Sequence, residues 1–269
     1  MPISRLQTEI LTTLAAGRDP GSYVAGATPL NLRGPRYSRD IDVFHDREER
    51  VESAALGDAE ALTQAGFAVR WVRQSLLIYG AEVAKGDEKT RLEWVADSDF
   101  RFFPTVRDPL FGYVLHPVDL AANKMMAAVG RREVRDILDL TTIHRNILPL
   151  GAVAWAAVEK SPGFTPAGLL AEIRRNSLYP AAEWRELLTE KPLDPGAVMA
   201  ELRLALEEAE AFVARMPAAQ VGLVFVEAGR PVAPDPAHLE RYVSHAGRRQ
   251  GHWPSSSEIG SAMLDCYRR

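Results

Sequence analysis

YVAGATPLNLRGPRYSRDIDVF, residues 23–44, is the stretch from which the fold of the chain is read. Tyr23, Val24 and Ala25 are apolar enough for a short buried strand, and Gly26-Ala27-Thr28 breaks that run and opens a helix through Leu30 and Leu32. The stretch closes on Asp40-Ile41-Asp42-Val43-Phe44. Successive side chains of a strand point to opposite faces, so Asp40 and Asp42 share one face while Ile41 and Val43 point to the other. Two carboxylates side by side repel one another and carry a desolvation cost. Such a pair shares a cation or a proton, or stands in water.

Outward from this stretch, residues 4–16 place Leu6, Ile10, Leu11 and Leu14 at helical spacing, with Ser4 as cap and Gly17 as stop. Residues 46–65 are charged early and Ala/Leu-rich late, which predicts one or two helices ending at Gly66. From Phe67 to Asp97 the apolar period falls to two, through Phe67, Val69 and Trp71, then Leu77, Tyr79, Ala81 and Val83, then Leu92, Trp94 and Ala96. This predicts a small, largely antiparallel sheet extending the strands at Tyr23 and Ile41. Glu93 lies on the opposite face from Leu92 and Trp94. It is either a solvent-side strand residue or the third member of a carboxylate group with Asp40 and Asp42.

Residues 100–117 hold three prolines and several aromatics and read as a loop across the sheet. The helix predicted over 118–129 carries Lys124 on an otherwise small and apolar stripe, where an ammonium snorkels to water, the commoner fate, or meets an anion. In the next helix, 131–145, Asp136 and Asp139 share a face with Arg135. These residues either pair along the helix or, with Arg131 and Arg132, brace a site from behind. The composition shifts near Ile147-Leu148-Pro149, which predicts domains over 1–148 and 149–269. The second reads as mainly helical, over 151–160, 166–176, 181–190 and 195–216, with a hairpin at 221–232 turning at Ala228-Gly229 and one or two last helices over 236–269.

The 269 residues are 46% hydrophobic and 25% charged with a net charge of -4, the composition of a globular protein with no overall pull toward nucleic acid. No apolar run reaches the length of a membrane span, and the first residues lack the apolar centre of a signal peptide, so no membrane association and a cytoplasmic location are expected. Cys266 is the single cysteine, which excludes an internal disulfide and a thiolate metal cluster. No G-x-S-x-G elbow surrounds any serine, and the histidines show no metal-ligand spacing.

Gly26-Ala27-Thr28, then Ser38-Arg39-Asp40-Ile41-Asp42, then Lys124, then Arg135-Asp136-x-x-Asp139 resembles the AbiEii/AbiGii toxin family of nucleotidyltransferase-fold proteins, over residues 20–145. Ala27 stands where that family carries glycine or serine. The resemblance implies an α+β fold: a small nucleotidyltransferase-like mixed sheet flanked by helices, followed by a mainly helical C-terminal domain. It implies transfer of a nucleoside monophosphate from a nucleoside triphosphate to an acceptor hydroxyl, such as an RNA or tRNA end, with a cognate antitoxin as partner. Under it, Asp40 and Asp42, with Glu93 as third candidate, hold Mg²⁺. Gly26, Ala27 and Thr28 receive phosphates on their backbone N–H groups, aided by the Ser38 hydroxyl. Lys124 neutralises phosphate charge, Asp136 belongs to the catalytic set, and Asp139 braces it. Two further readings stay open: transfer to a small hydroxylated molecule, as in antibiotic modification, and a nucleotide-binding or interaction module without turnover.

Overall fold

A computed structural model describes residues 3–161, 163–249, 252 and 255–267. The chain opens with α1 (Arg5–Leu14), which starts on a reciprocal capping box between Ser4 and Gln7 and buries Leu6, Ile10, Leu11 and Leu14. There follow β1 (Ser22–Ala25), α2 (Ala27–Leu30), β2 (Asp40–His45), α3 (Glu49–Gln64), β3 (Ala68–Ser75), β4 (Ile78–Lys85), β5 (Glu88–Ala96), β6 (Phe100–Arg101), β7 (Val106–Asp108) and β8 (Gly112–Val114). Seven of these strands form one mixed sheet in the order β3-β4-β5-β2-β1-β8-β7. The β2–β5 and β1–β8 pairs are parallel and the others antiparallel, so the sheet is less antiparallel than its period-two sequence suggests.

Alternation sorts the two faces. Ile41, Val43, Ala81, Val83, Leu92 and Trp94 point to one side, where they bury against Ile10 of α1 and Val51, Ala55 and Leu62 of α3. Tyr23 and Ala25 point to the other side and meet Leu120 of α4 (Pro117–Gly130). Asp40 and Asp42 share that second face, at the border between its covered and open parts.

After α4 come α5 (Val134–Asn146), α6 (Leu150–Ala157), α7 (Pro166–Asn176), α8 (Ala181–Arg185) and α9 (Pro195–Arg215). Met125, Leu140, Val153, Leu170 and Leu202 belong to one apolar cluster that joins α4 and α5 to α6, α7 and α9. The domain boundary we propose after residue 148 therefore falls in a short link spanned by a continuous core. The hairpin forms as β9 (Leu223–Glu227) and β10 (Arg230–Val232), with positive φ at both Ala228 and Gly229, the geometry of a tight turn that follows strand twist. The architecture is α+β, with helices dominating the C-terminal part. Among the described residues no helix is long and apolar enough to cross a membrane.

Two segments depart from their sequence reading. Residues 100–117 are not a plain loop: β8 runs beside β1 and β7 closes that edge. At three residues each, these strands are too short to show a period. Residues 236–269 are not chiefly helical: β11 (Val243–Ala246) pairs with β9, β12 (Arg248–Arg249) pairs with β6, and only α10 (Ser261–Leu264) is an α-helix among the described residues. His245 stacks on Phe103, which stacks in turn on His116, so aromatic contacts far away in sequence fix this segment.

His45 ends β2 fully buried opposite Ser22, and neither of its ring nitrogens has a hydrogen-bond partner among the described residues. Burial, then the charges of Arg18 and Arg50, push its pKa down to about 4. The unfolded chain therefore takes up this proton first. Stability is complete above the unfolded value and is lost as the pH falls from about 6.5 toward 4. His45→Leu is expected to stabilise the protein by about 1–2 kcal/mol at pH 5 and by less at pH 8. Urea unfolding at the two pH values reads this, and an equal gain at both would contradict it.

Candidate functional site

β2 presents Asp40 and Asp42 on the sheet face opposite the one packed on α1 and α3. Asp40 is held from behind: Thr28 donates to its backbone oxygen at 2.7 Å, and the Ser38 hydroxyl reaches that oxygen at 2.9 Å and its Oδ1 at 3.1 Å. Asp42 accepts no hydrogen bond among the described residues. Burial, then the charges of Asp40 and Glu93, push its carboxyl up to about 7 against the pull of Lys124 and Arg135. Glu93 is its register partner on β5 and lies 3.6 Å from Arg91.

Gly26 turns the chain from β1 into α2 at φ 70, directly against Asp42. A Cβ at this position would sit 2.0 Å from Asp42 Oδ2. The glycine is required twice, by conformation and by space. Gly26→Ala is expected to cost about 2 kcal/mol or more of stability and to lower turnover by about 100-fold, because the turn and Asp42 must separate. Urea unfolding and initial rates test this, and a variant with native rates would show that the contact is not needed.

Near Asp42 lies an ionic network. Lys124 is 8% exposed and contacts Asp136 at 3.2 Å and Asp139 at 2.9 Å. The lysine therefore meets anions rather than snorkelling to water, and the anions are the protein's own. Arg131 grips Asp136 through two bonds of 2.8 and 2.9 Å. Arg36 grips Asp139 through two bonds of 2.7 Å. Burial works to raise the Asp139 carboxyl, but the charges of Lys124 and Arg36 and their hydrogen bonds hold it well below the usual carboxylate range. The intrahelical Arg135–Asp139 pair does not form: Arg135 lies near Glu133 at 3.6 Å and Asp139 faces inward. Asn31 ties this network to the turn, donating to Ala27 O at 3.0 Å and to Asp139 Oδ1 at 3.1 Å.

Contact and register thus bring Gly26, Asp40, Asp42 and Glu93 together, Thr28 and Ser38 bond to Asp40, Lys124 lies near enough to pull on the Asp42 charge, and Asp136 holds Lys124 from the far side. Sequence reasoning missed Arg36 and Asn31. Arg36 sits among glycine and proline and reads as a turn residue, and nothing in its spacing points to a helix about a hundred positions away. No preassembled group of three or more His, Cys, Asp or Glu side chains able to hold a metal exists among the described residues. The donor set nonetheless suits a hard divalent cation. Asp40 and Asp42 are oxygen donors on one face, Asp42 has no hydrogen-bond partner among the described residues, and the missing Cβ of Gly26 leaves its carboxylate room.

Comparison with known proteins follows the same lines. The family described as nucleotidyl transferase AbiEii toxin, type IV TA system, matches residues 10–212. Among solved structures, a Helicobacter pylori protein provisionally called a nucleotidyltransferase shares 16% identity over 78% of this chain and 96% of its own, with a TM-score of 0.52. MenT4, a nucleotidyltransferase toxin from Mycobacterium tuberculosis H37Rv, shares 17% identity over 80% of this chain and 83% of its own, with a TM-score of 0.51. At such identities the likeness is one of fold. No curated protein matches the chain.

Proposed function

The chain belongs to the AbiEii family of nucleotidyltransferase toxins, and from that premise we propose that it moves a nucleoside monophosphate from a nucleoside triphosphate to the hydroxyl of an RNA end, such as that of tRNA, with Mg²⁺ as its metal. The observation that carries this reading is the pair Asp40 and Asp42 on one strand face, with Asp42 seated over the Gly26 turn. When bound, Mg²⁺ would neutralise charge developing on the attacking and leaving oxygens.

Each residue then has a part in the reaction. Asp40 and Asp42 would hold the metal, with Glu93 as third candidate from the neighbouring strand. Backbone N–H groups of the turn at Gly26, Ala27 and Thr28 receive phosphate oxygens. The Ser38 hydroxyl keeps Asp40 oriented and lies beside the same phosphates. Lys124, held by Asp136 and Asp139, would add positive charge to the site, and Asp136 keeps Arg131 as partner and so stays ionised. The acceptor oxygen bonds to the α-phosphorus as the bond to pyrophosphate breaks, and the hydroxyl proton leaves to water. The partner in the cell is an antitoxin, and the place of action is the cytoplasm.

Incubation with α-labelled nucleoside triphosphates, Mg²⁺ and total RNA tests the reading. Label on RNA supports it. Label confined to small hydroxylated molecules would replace the acceptor class, and label on nothing would overturn the activity.

A further inference from the structure

The residues beyond Glu93 on the sheet are not used by the site described above. In register, Asp42 of β2 lies beside Glu93 of β5, Glu93 beside Gly80 of β4, and Gly80 beside Arg73 of β3. The neighbouring row runs Asp40, Arg91, Glu82, Arg70. Both rows face the same side. The helices α1 and α3 cover the other side, so Arg70, Arg73, Lys89 and Arg91 stand exposed on an open ledge that leads away from the carboxylates.

A β-bulge makes the ledge what it is. Between Trp71 and Arg73 the register of β3 against β4 shifts by one residue, at Val72. Regular alternation from Arg70 would place Val72 on this face and turn Arg73 away. The bulge brings Arg73 into line with Arg70, a re-aiming of side chains that bulges perform beside active sites. Gly80 adds no side chain of its own between Arg73 and Glu93, which flank it with Cβ and Cγ 3.7 and 3.9 Å from where a Gly80 Cβ would stand. At ~4.8 Å per strand, the Arg73 and Glu93 Cα atoms are about 10 Å apart. The other cations are shared: Arg70 and Lys89 both contact Glu82, and Arg91 lies near Glu93. Arg73 has no carboxylate partner among the described residues.

We propose that Arg73, reached across Gly80, is an anion subsite for the phosphodiester backbone of the polynucleotide acceptor. The inference rests on the RNA-acceptor reading given above. Order across the sheet supports it. The Gly26 turn follows Ala25, which neighbours Asp42 on the β1 side, whereas Gly80 and Arg73 lie on the β5 side. A triphosphate on the turn and a strand on the ledge would approach Asp42 from opposite sides, as in-line transfer between them requires. Cations on β3 and β5, two strands apart, match an extended chain of phosphates, which one triphosphate does not span.

The test is binding of a short fluorescent single-stranded oligoribonucleotide by the full chain, in Mg²⁺ and over a salt series, for the parent, Arg73→Ala and Arg107→Ala. Arg107 is exposed on β7 at the far edge of the sheet and serves as control. Arg73→Ala is expected to weaken binding about fivefold or more at low salt and to reduce the slope of log K against log salt by about 0.7, with melting and triphosphate binding unchanged. In the transfer assay its KM for RNA rises while kcat holds. Unchanged RNA affinity, or an equal loss in Arg107→Ala, would overturn the subsite while RNA labelling by the parent keeps the acceptor reading intact. A parent that neither binds nor labels RNA would overturn both.

Discussion

Asp42→Asn is expected to abolish nucleotide transfer, by about 10³-fold or more, and to leave the protein folded and no less stable. The two halves of this result have one cause. Asp42 is held among Asp40 and Glu93 in a place where burial already disfavours its charge, and its carboxyl is pushed up to about 7. Without a cation, at neutral pH and above, an ionised Asp42 is a strain on the fold. Asparagine keeps the shape that packs on Gly26 and removes the repulsion, so in chelator-treated buffer at pH 8 the variant should melt no lower than the parent. Mg²⁺ should then raise the melting temperature of the parent and not that of the variant, because a ligand stabilises only the state that binds it. Initial rates with labelled triphosphate and melts with and without Mg²⁺ read both halves. A variant within tenfold of the parent rate would remove Asp42 from the reaction, and a Mg²⁺ shift that survived the substitution would remove it from the metal.

The parts of this arrangement differ in how far they can be read from the chain. Residues 40–44 are legible because alternation alone puts Asp40 with Asp42 and away from the buried Ile41 and Val43, and the fold keeps that pattern. The Gly26 turn is legible for a similar reason, since the break in the apolar run is local. The environment of Lys124 is legible only as a question. The sequence shows an ammonium on a small apolar stripe, and the answer depends on α5 crossing α4 so that Asp136 and Asp139 face it. Arg36 and Asn31 are beyond such reasoning, because their role comes from a contact with Asp139 across more than a hundred residues. The bulge at Val72 leaves no mark in the alternation either, since arginine and valine are both ordinary on an exposed edge strand. Local periodicity carries the elements, and long-range ion pairing carries the arrangement of the site.

Asp139→Ala should be the most destabilising single change at the site, by about 3–5 kcal/mol, although Asp139 does not reach solvent. It is 0% exposed and is the shared partner of Arg36 and Lys124, which are 3% and 8% exposed. Removing it leaves Arg36 buried with only the Tyr37 carbonyl, and leaves Lys124 with Asp136 alone. A buried ion pair adds little over an apolar pair of the same size, so most of the cost lies in the stranded charge. Asp139→Leu combined with Arg36→Met should therefore recover much of the stability in urea unfolding. Activity should not return with it. Asn31 would still hold Ala27 O but lose its anchor on α5, and Lys124 would lose the nearer of its two carboxylates. A single variant that loses less than about 1 kcal/mol would show that the network does not carry the fold. A double variant that regains both stability and transfer would show that Asp139 is packing, and that the turn at Gly26 and Lys124 are placed without it.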